Sequence, residues 1–247
     1  MLKFILIAVA VILVTIGLVK LVDKFIPLKF KPFLTLILWL VIGYLGYQTY
    51  MSIYEPIQFN KEKNKRYAKV IKSLIDIRDA QLAHKQVTGR FTDNFDNLIK
   101  FVDTAEFTIT QRRDTSVLDV EMTKRYGGVP TYKDEVIIDT LGFVPVKDSL
   151  FKNSTRYQTM MNIPVGKPGS KFELKAGFIE QNDVNIPVFE AAAKKDFLFF
   201  DQDKDLLNQE KQVISTVVGV TGDAIKVGSM EEVTTSGNWP KTYGDNE

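Results

Sequence analysis

FLTLILWLVIGYLGYQTYMSIY, residues 33–54, runs without a single charged side chain. A helix that crosses a bilayer core of roughly 30 Å needs about 20 such residues. Met1–Val22 is a second run of that kind, apolar except for Lys3, Thr15 and Lys20, and the short connector Asp23–Pro32 between the two is basic. Backbone polar groups in lipid are satisfied only within a helix or a closed barrel. The first 54 residues therefore read as a transmembrane helical hairpin, residues 1–54, with both ends on one side of the bilayer. A cleaved signal peptide is the rival for the first run. Its apolar region would be about 7–15 residues with a small-residue cleavage site beyond, whereas here the run is longer and Lys20-Leu-Val-Asp-Lys24 follows it.

Lys20, Lys24, Lys29 and Lys31 flank or fill the connector, and Lys3, Lys61, Lys63, Lys65, Arg66 and Lys69 lie on the other side. Basic residues near a membrane mark its cytoplasmic face, and here the two sides nearly balance, with a slight excess opposite the connector. Composition points the other way. The remaining chain has no cysteine and one histidine and is rich in Asn, Thr and Asp, as suits an oxidising compartment where free thiols are at risk. The expectation is a bacterial inner-membrane protein with a periplasmic soluble domain.

One side of the second span is distinctive. Tyr44, Tyr47, Tyr50, Met51 and Tyr54 fall along it at helical spacing, beside Thr35, Trp39, Gly43 and Gly46. Small residues let helices approach closely in lipid, and tyrosines favour its interface. Thr35, Trp39, Gly43, Tyr44, Gly46 and Tyr47 are thus the candidate contact residues for another membrane helix, either the hairpin's own first helix or a partner's.

Beyond Tyr54 the chain is long enough for a real core. A net charge of +2 is too small to imply nucleic acid, and the absence of cysteine excludes disulfides and cysteine-based metal or nucleophile chemistry. Glu55-Pro56 predicts a helix break, since proline removes a backbone hydrogen bond and clashes with the preceding turn. A soluble helix over Asn60–Thr88 follows, with Tyr67, Val70, Ile71, Leu74, Ile75 and Leu82 as its apolar stripe and Gly89 as its C-cap. Arg78 and Gln81 interrupt the stripe. Arg78 is expected to lie along the core edge with its head in water, with a buried carboxylate pair as the alternative. His84, with no carboxylate three or four residues away, reads as packing and not as a metal ligand.

Asp93 or Asn94 caps a second, short helix that carries Phe95, Leu98, Ile99 and Phe101. The whole stretch IRDAQLAHKQVTGRFTDNFDNLI, residues 77–99, resembles type IV pilins and type II secretion pseudopilins in Arg78, Ala80, Gln81, Gly89, Arg90, Phe91, Asp93, Asp96 and Leu98. The resemblance covers Tyr67–Phe101 and implies a local helix–turn–helix shape. It does not extend to the filament: Met1–Val14 has neither the Gly-Phe leader junction nor the glutamate of those proteins, and a second span leaves no route for extracting the subunit.

After Phe101 the period changes to two. Glu106–Arg112 reads as a strand with Phe107 and Ile109 inward, Ser116 as the cap of a helix through Tyr126 ended by Gly127-Gly128, and Glu135–Val146 as a strand with Gly142 and Pro145 at a bulge or edge. Strands at 171–180, 185–191 and 197–200 follow, then a hairpin over Val213–Val227 turned at Thr221-Gly222-Asp223. The fold class is a membrane protein, a two-helix transmembrane hairpin followed by an α+β soluble domain with a long N-terminal helix and a mixed or antiparallel β-rich C-terminal part. Its regions are 1–54, the helical stalk 55–102, a small α+β region 103–161 and a β-rich region 162–247. The boundary between the last two is the Pro- and Gly-rich Asn162–Ser170.

Three stretches resemble sites. Asp201-Gln-Asp-Lys-Asp205 has the first three carboxylates of a calcium loop, but Leu206 stands where glycine is needed and Gln212 where a bidentate glutamate is needed. Gly166-Lys-Pro-Gly-Ser-Lys171 fails the spacing of a phosphate loop. Glu231-Glu232 with Asp201 or Asp183 would need the carboxylate separation of a glycosidase, about 5–10 Å. The reading is of a non-enzymatic protein without cofactor or metal. It is a structural or adaptor subunit of a multi-protein cell-envelope machine, of secretion or ion-driven motor type. Its partners are other membrane or envelope proteins in a hetero-oligomeric complex, together with the lipid bilayer. A pilin-like assembly protein and a membrane-anchored hydrolase are the alternatives.

Overall fold

The structure is a computed structural model that describes residues 12–17, 19, 20, 24, 27, 30–152 and 154–244. Most of the first predicted span and half of the connector lie outside the described residues. Residues 12–17, 19 and 20 are helical. The chain divides into two compact units, Met1–Gln58 and Phe59–Glu247.

In the first unit the apolar run forms a helix that begins at Lys31, and its side chains are exposed almost throughout. Among the described residues this is the one helix long and apolar enough to cross a membrane. The predicted break at Glu55-Pro56 does not occur: α1 spans Lys31–Thr88 with Pro56 inside it. An interior proline costs about 3 kcal/mol, a local penalty that the helix-forming turns on both sides outweigh. After it, Glu62 and Arg66 form a 2.8 Å ion pair one turn apart, and the helix gains a face to bury.

That face belongs to the second unit. Tyr67, Val70, Ile71, Leu74, Ile77, Arg78, Ala80, Gln81 and Ala83 are buried. A period of 3.6 starting at Leu74 passes through Arg78 and Gln81, so these two lie on the stripe itself and Leu82, expected there, is 39% exposed. Gln81 works as a backbone surrogate: its amide donates to Thr92 O at 2.6 Å and accepts from Thr92 N at 3.1 Å. Arg78 is buried instead of reaching water, with Nε 3.2 Å from Asp79. The turn at Gly89, with φ +79°, leads into α2 (Phe95–Thr104), which Asn94 caps by accepting from Asp96 N and Asn97 N.

Two antiparallel sheets follow. The first is a lone pair, β1 (Glu106–Leu118) with β2 (Tyr132–Pro145), joined by a loop that contains α3 (Val120–Arg125). Ser116 does not cap α3. The strand pairing continues through Leu118, Asp119 takes the cap, and Ser116 donates to Asp134 at 2.9 Å. The register skips Leu141 opposite Ile109, a bulge beside Gly142. Next come α4 (Val146–Phe151) and a 3-10 turn, Arg156–Thr159.

The second sheet has the order β3–β4–β5, with β3 Glu173–Gln181, β4 Val184–Lys194 and β5 Ala224–Gly228. Asn182 and Asp183, at φ +52° and +61°, make the two-residue β3–β4 turn with both φ values positive, as the right-handed strand twist favours. Two predicted elements change. The apolar stretch 197–200 is not a strand but the end of a helical turn, α5 (Lys195–Leu198), and the residues after it. A short apolar run fits either period. Residues 213–223 form turns and no hairpin, because β5 pairs with β4 instead. Helix α6 (Lys204–Lys211) is capped by Asp203.

One core cluster runs through the second unit from Phe59 to Trp239. Its middle is aromatic: Phe91 packs on Phe189 at 4.7 Å, and Tyr67 meets Phe199 edge-on at 5.4 Å. Gly228, at φ +74°, brings its Cα so near Phe189 that a Cβ would lie 2.2 Å from the Phe189 carbonyl oxygen.

Candidate interaction surfaces

The six contact residues predicted on the apolar helix lie on α1 within the first unit. Trp39, Tyr44 and Tyr47 are exposed, and a Cβ at Gly43 or Gly46 would meet nothing within 4 Å. Thr35 donates to its own helix at Lys31 O. The Tyr44 hydroxyl accepts a 2.7 Å hydrogen bond from Gln48 one turn on, so α1 already supplies a polar contact for it. Tyr50 and Tyr54 stack at 5.5 Å.

The second unit holds a buried ionic cluster that the sequence pattern did not reveal. Glu210, on α6, is 6% exposed. Its carboxylate accepts from Lys63 at 2.8 Å and from the Tyr67 hydroxyl at 3.0 Å. Lys195 is fully buried and donates to the carbonyls of Glu210 and Val220 at 2.7 and 2.8 Å, with the Glu210 carboxylate 3.7 Å away. Burial pushes the Lys195 ammonium down to about 8 and raises the Tyr67 hydroxyl. A lysine held this way is a pinned donor: its hydrogens go to carbonyls that close the α6 and Val220 segments over α1.

Parts of the stretches that resemble sites are likewise committed to structure. Asp201 is clasped by both terminal nitrogens of Arg66 at 2.6 and 2.8 Å, which holds its carboxyl down at about 2. Asp203 caps α6. In the 166–171 loop, Lys167 N donates to Phe197 O at 2.8 Å, and a Cβ on Gly166 would lie 2.3 Å from that oxygen. That glycine serves close packing. The backbone N–H groups of Glu231 and Glu232 both donate to the Ser229 hydroxyl. His84 Nδ1 lies 2.7 Å from Arg90 O, and its ring packs on Phe101 at 4.8 Å.

The β1–β2 hairpin differs from all of this. No residue of either strand is buried. Ile109, expected inward, is 44% exposed, because among the described residues no layer covers the length of the hairpin; Phe107, with Ala105 just before the strand, packs on the core at its base. Both faces carry apolar side chains. Thr108, Thr110, Arg112, Asp114, Ser116 and Leu118 share one face with Tyr132, Val136, Ile138 and Phe143, and Ile109, Arg113 and Val117 share the other with Ile137 and Leu141. Tyr126 and Val129, in the connecting loop, are exposed as well.

No family model, curated protein or solved structure matches this chain.

Function is therefore to be sought in the surfaces themselves. An isolated two-stranded hairpin is marginally stable in water, and soluble monomers rarely expose contiguous apolar patches beyond a few hundred Å². This hairpin is long, roughly 43 Å at about 3.3 Å per residue, and among the described residues both outer edges are unpaired in a sheet of two strands. The sequence carried a signal that pointed to it: Val136-Ile137-Ile138 puts bulky β-formers on both faces in succession, the pattern of a strand meant to be covered on both sides.

Proposed function

We propose that the chain is a membrane-anchored, non-catalytic structural or adaptor subunit of a multi-protein cell-envelope assembly. In this reading a transmembrane helical hairpin over residues 1–54 holds it in the inner membrane, and the soluble part works in the periplasm. The observation that carries the reading is the β1–β2 hairpin, two long strands with apolar side chains on both faces, none of them buried. Such a surface in a membrane-bound subunit is what an assembly contact requires. The well-formed core behind it and the commitment of Asp201, Asp203 and Lys195 to structural hydrogen bonds support a scaffold over a hydrolase.

The test is native electrophoresis of the detergent-extracted protein. The intact chain should migrate in a complex well above its own mass. A variant with residues 108–143 replaced by an Asn-Gly turn should remain in the membrane fraction, keep its thermal transition and migrate as a single copy. If the wild-type chain is already monomeric, the assembly reading fails. Orientation is checked separately: protease added to spheroplasts should cut beyond Tyr54.

A further inference from the structure

The two edges of the hairpin are chemically different, and the difference identifies an occupant. Asp119 N donates to Thr131 O at 2.7 Å. Antiparallel pairs alternate between hydrogen-bonded and non-hydrogen-bonded, so in the observed register Arg112, Asp114 and Ser116 of β1 aim their N–H and C=O groups outward. Asp134, Val136 and Ile138 of β2 do the same on the opposite edge. Over residues 111–117 β1 carries Arg112 and Arg113 against one acid, Asp114, whereas over residues 133–139 β2 carries Asp134, Glu135 and Asp139 against one base, Lys133. Within the hairpin Arg113 already pairs with Asp139 at 2.8 Å, yet the two side chains are 61% and 43% exposed. Both remain open to solvent.

We propose that β1 of one copy adds to β2 of a second copy in the hairpin's own register, so that hairpins join into one continuous antiparallel sheet. The proposal rests on the assembly reading above and names its partner as this same chain. Arg113 then lies opposite Ile137 of the neighbour, flanked by the neighbour's Glu135 and Asp139, and each acid edge meets a basic one. Arg112 lies opposite Ile138 of the neighbour and Asp114 opposite Val136, continuing the mixed rows already present in the hairpin. Symmetric pairings are worse: β2 on β2 sets two net-acidic segments together and β1 on β1 two net-basic ones, and like charges across strands are destabilising. Strand addition at a free edge supplies main-chain hydrogen bonds along the whole pairing. The contact is head-to-tail, so it closes into a ring or extends as a filament instead of stopping at a dimer.

The experiment uses the full chain in detergent micelles, with native mass spectrometry and cross-linking. The sequence contains no cysteine, so Thr115→Cys and Glu135→Cys are each unique thiols. Mild oxidation of the two variants mixed should give a cross-linked mixed dimer, at least tenfold more than either variant alone. Efficient cross-linking of one variant with itself would overturn the pairing. Val136→Pro removes an outward N–H and leaves the hairpin's own ladder whole, so it should abolish homo-oligomers while the thermal transition persists. No mixed cross-link between the two cysteine variants, with a wild-type chain that forms no homo-oligomer, overturns self-addition. If a larger hetero-complex is nonetheless lost with Val136→Pro, the assembly reading stands with a different partner. If neither Val136→Pro nor removal of the hairpin changes any complex, both readings fall.

Discussion

Tyr67–Ala83 on α1 and Tyr132–Pro145 on β2 are both rich in large apolar residues, yet one supplies much of the core and the other buries nothing. The difference lies in how period and partner match. Along α1 the apolar positions gather on one stripe, and the polar interruptions Arg78 and Gln81 find partners on or beside that stripe. On β2 the apolar residues fall on both faces, so one covering layer would bury only half of them. The molecule supplies no layer at all among the described residues. Stability is thus expected to concentrate in the first region and association in the second.

The largest expected effect breaks the ionic centre against which α1 packs. Glu210→Ala leaves Lys63 and Tyr67 without their shared acceptor and Lys195 without its counter-charge, and removal of one partner from a buried charge cluster costs about 3–5 kcal/mol. Urea unfolding of the variant should show a loss of this size, and a loss below 1 kcal/mol would mean that the cluster is solvated. Slightly smaller is Leu74→Ala, at a position with no exposure. A cavity there should cost about 2–5 kcal/mol, read as a shift of the urea midpoint at constant slope.

A third prediction turns on pH. Burial moves Lys195 from its ordinary 10.5 down to about 8. Below pH 8 the lysine is protonated whether the chain is folded or unfolded, and the charged form carries its full penalty. Between pH 8 and 10 the unfolded chain holds a proton that the folded chain has released, so stability rises with pH through this window. Glu210 and Asp223 favour the charged form and Lys63 opposes it. Above pH 10 Tyr67, whose hydroxyl is raised by burial, stays protonated in the folded chain and offsets the gain. At about 1.36 kcal/mol per unit the rise is on the order of 2 kcal/mol. Comparison with Lys195→Met at pH 7.5 and 9.5 isolates it. A wild-type advantage that shrinks toward pH 9.5 would reverse the sign and sink the argument.

Much of this fold is legible in the chain because local signals agree. The helix end at Gly89, the Asn94 cap and the bulge beside Gly142 follow from turn and cap chemistry acting over a few residues, and the strands expected at 171–180 and 185–191 overlap β3 and β4. What could not be read depends on partners distant in sequence. Glu210 reaches Lys63 across 147 positions, and nothing local marks it as buried. The failure at Val213–Val227 has the same origin: β5 reads as half of a hairpin until β4 is known to be free on that side. Pro56 misleads for the opposite reason, because a local penalty is outweighed by long helical stretches to either side. As for the interaction surface, the apolar triplet 136–138 was visible as a strand, but its exposure depends on the absence of any covering element.

The smallest expected effect is the most direct test of the contrast. Ile137 and Ile138 are neighbours in sequence on opposite faces of the hairpin, 39% and 65% exposed. In a half-buried strand, replacing the inward one would be costly and the outward one neutral, since loss of a buried methylene costs about 0.8 kcal/mol. Here no face is inward, so Ile137→Thr and Ile138→Thr, which keep the β-branch that suits a strand, should each change the stability of the second unit by less than about 0.5 kcal/mol. Both measurements belong in dilute, dissociating conditions, followed by the fluorescence of Trp239, which is buried in the core; Trp39 lies on α1 in the first unit. A loss above 1 kcal/mol for Ile137 alone would mean that its face packs against the rest of the unit, and the hairpin would then have an inside after all. Equal and small losses, with weakened association at high concentration, would place the worth of these side chains entirely in the contact between molecules.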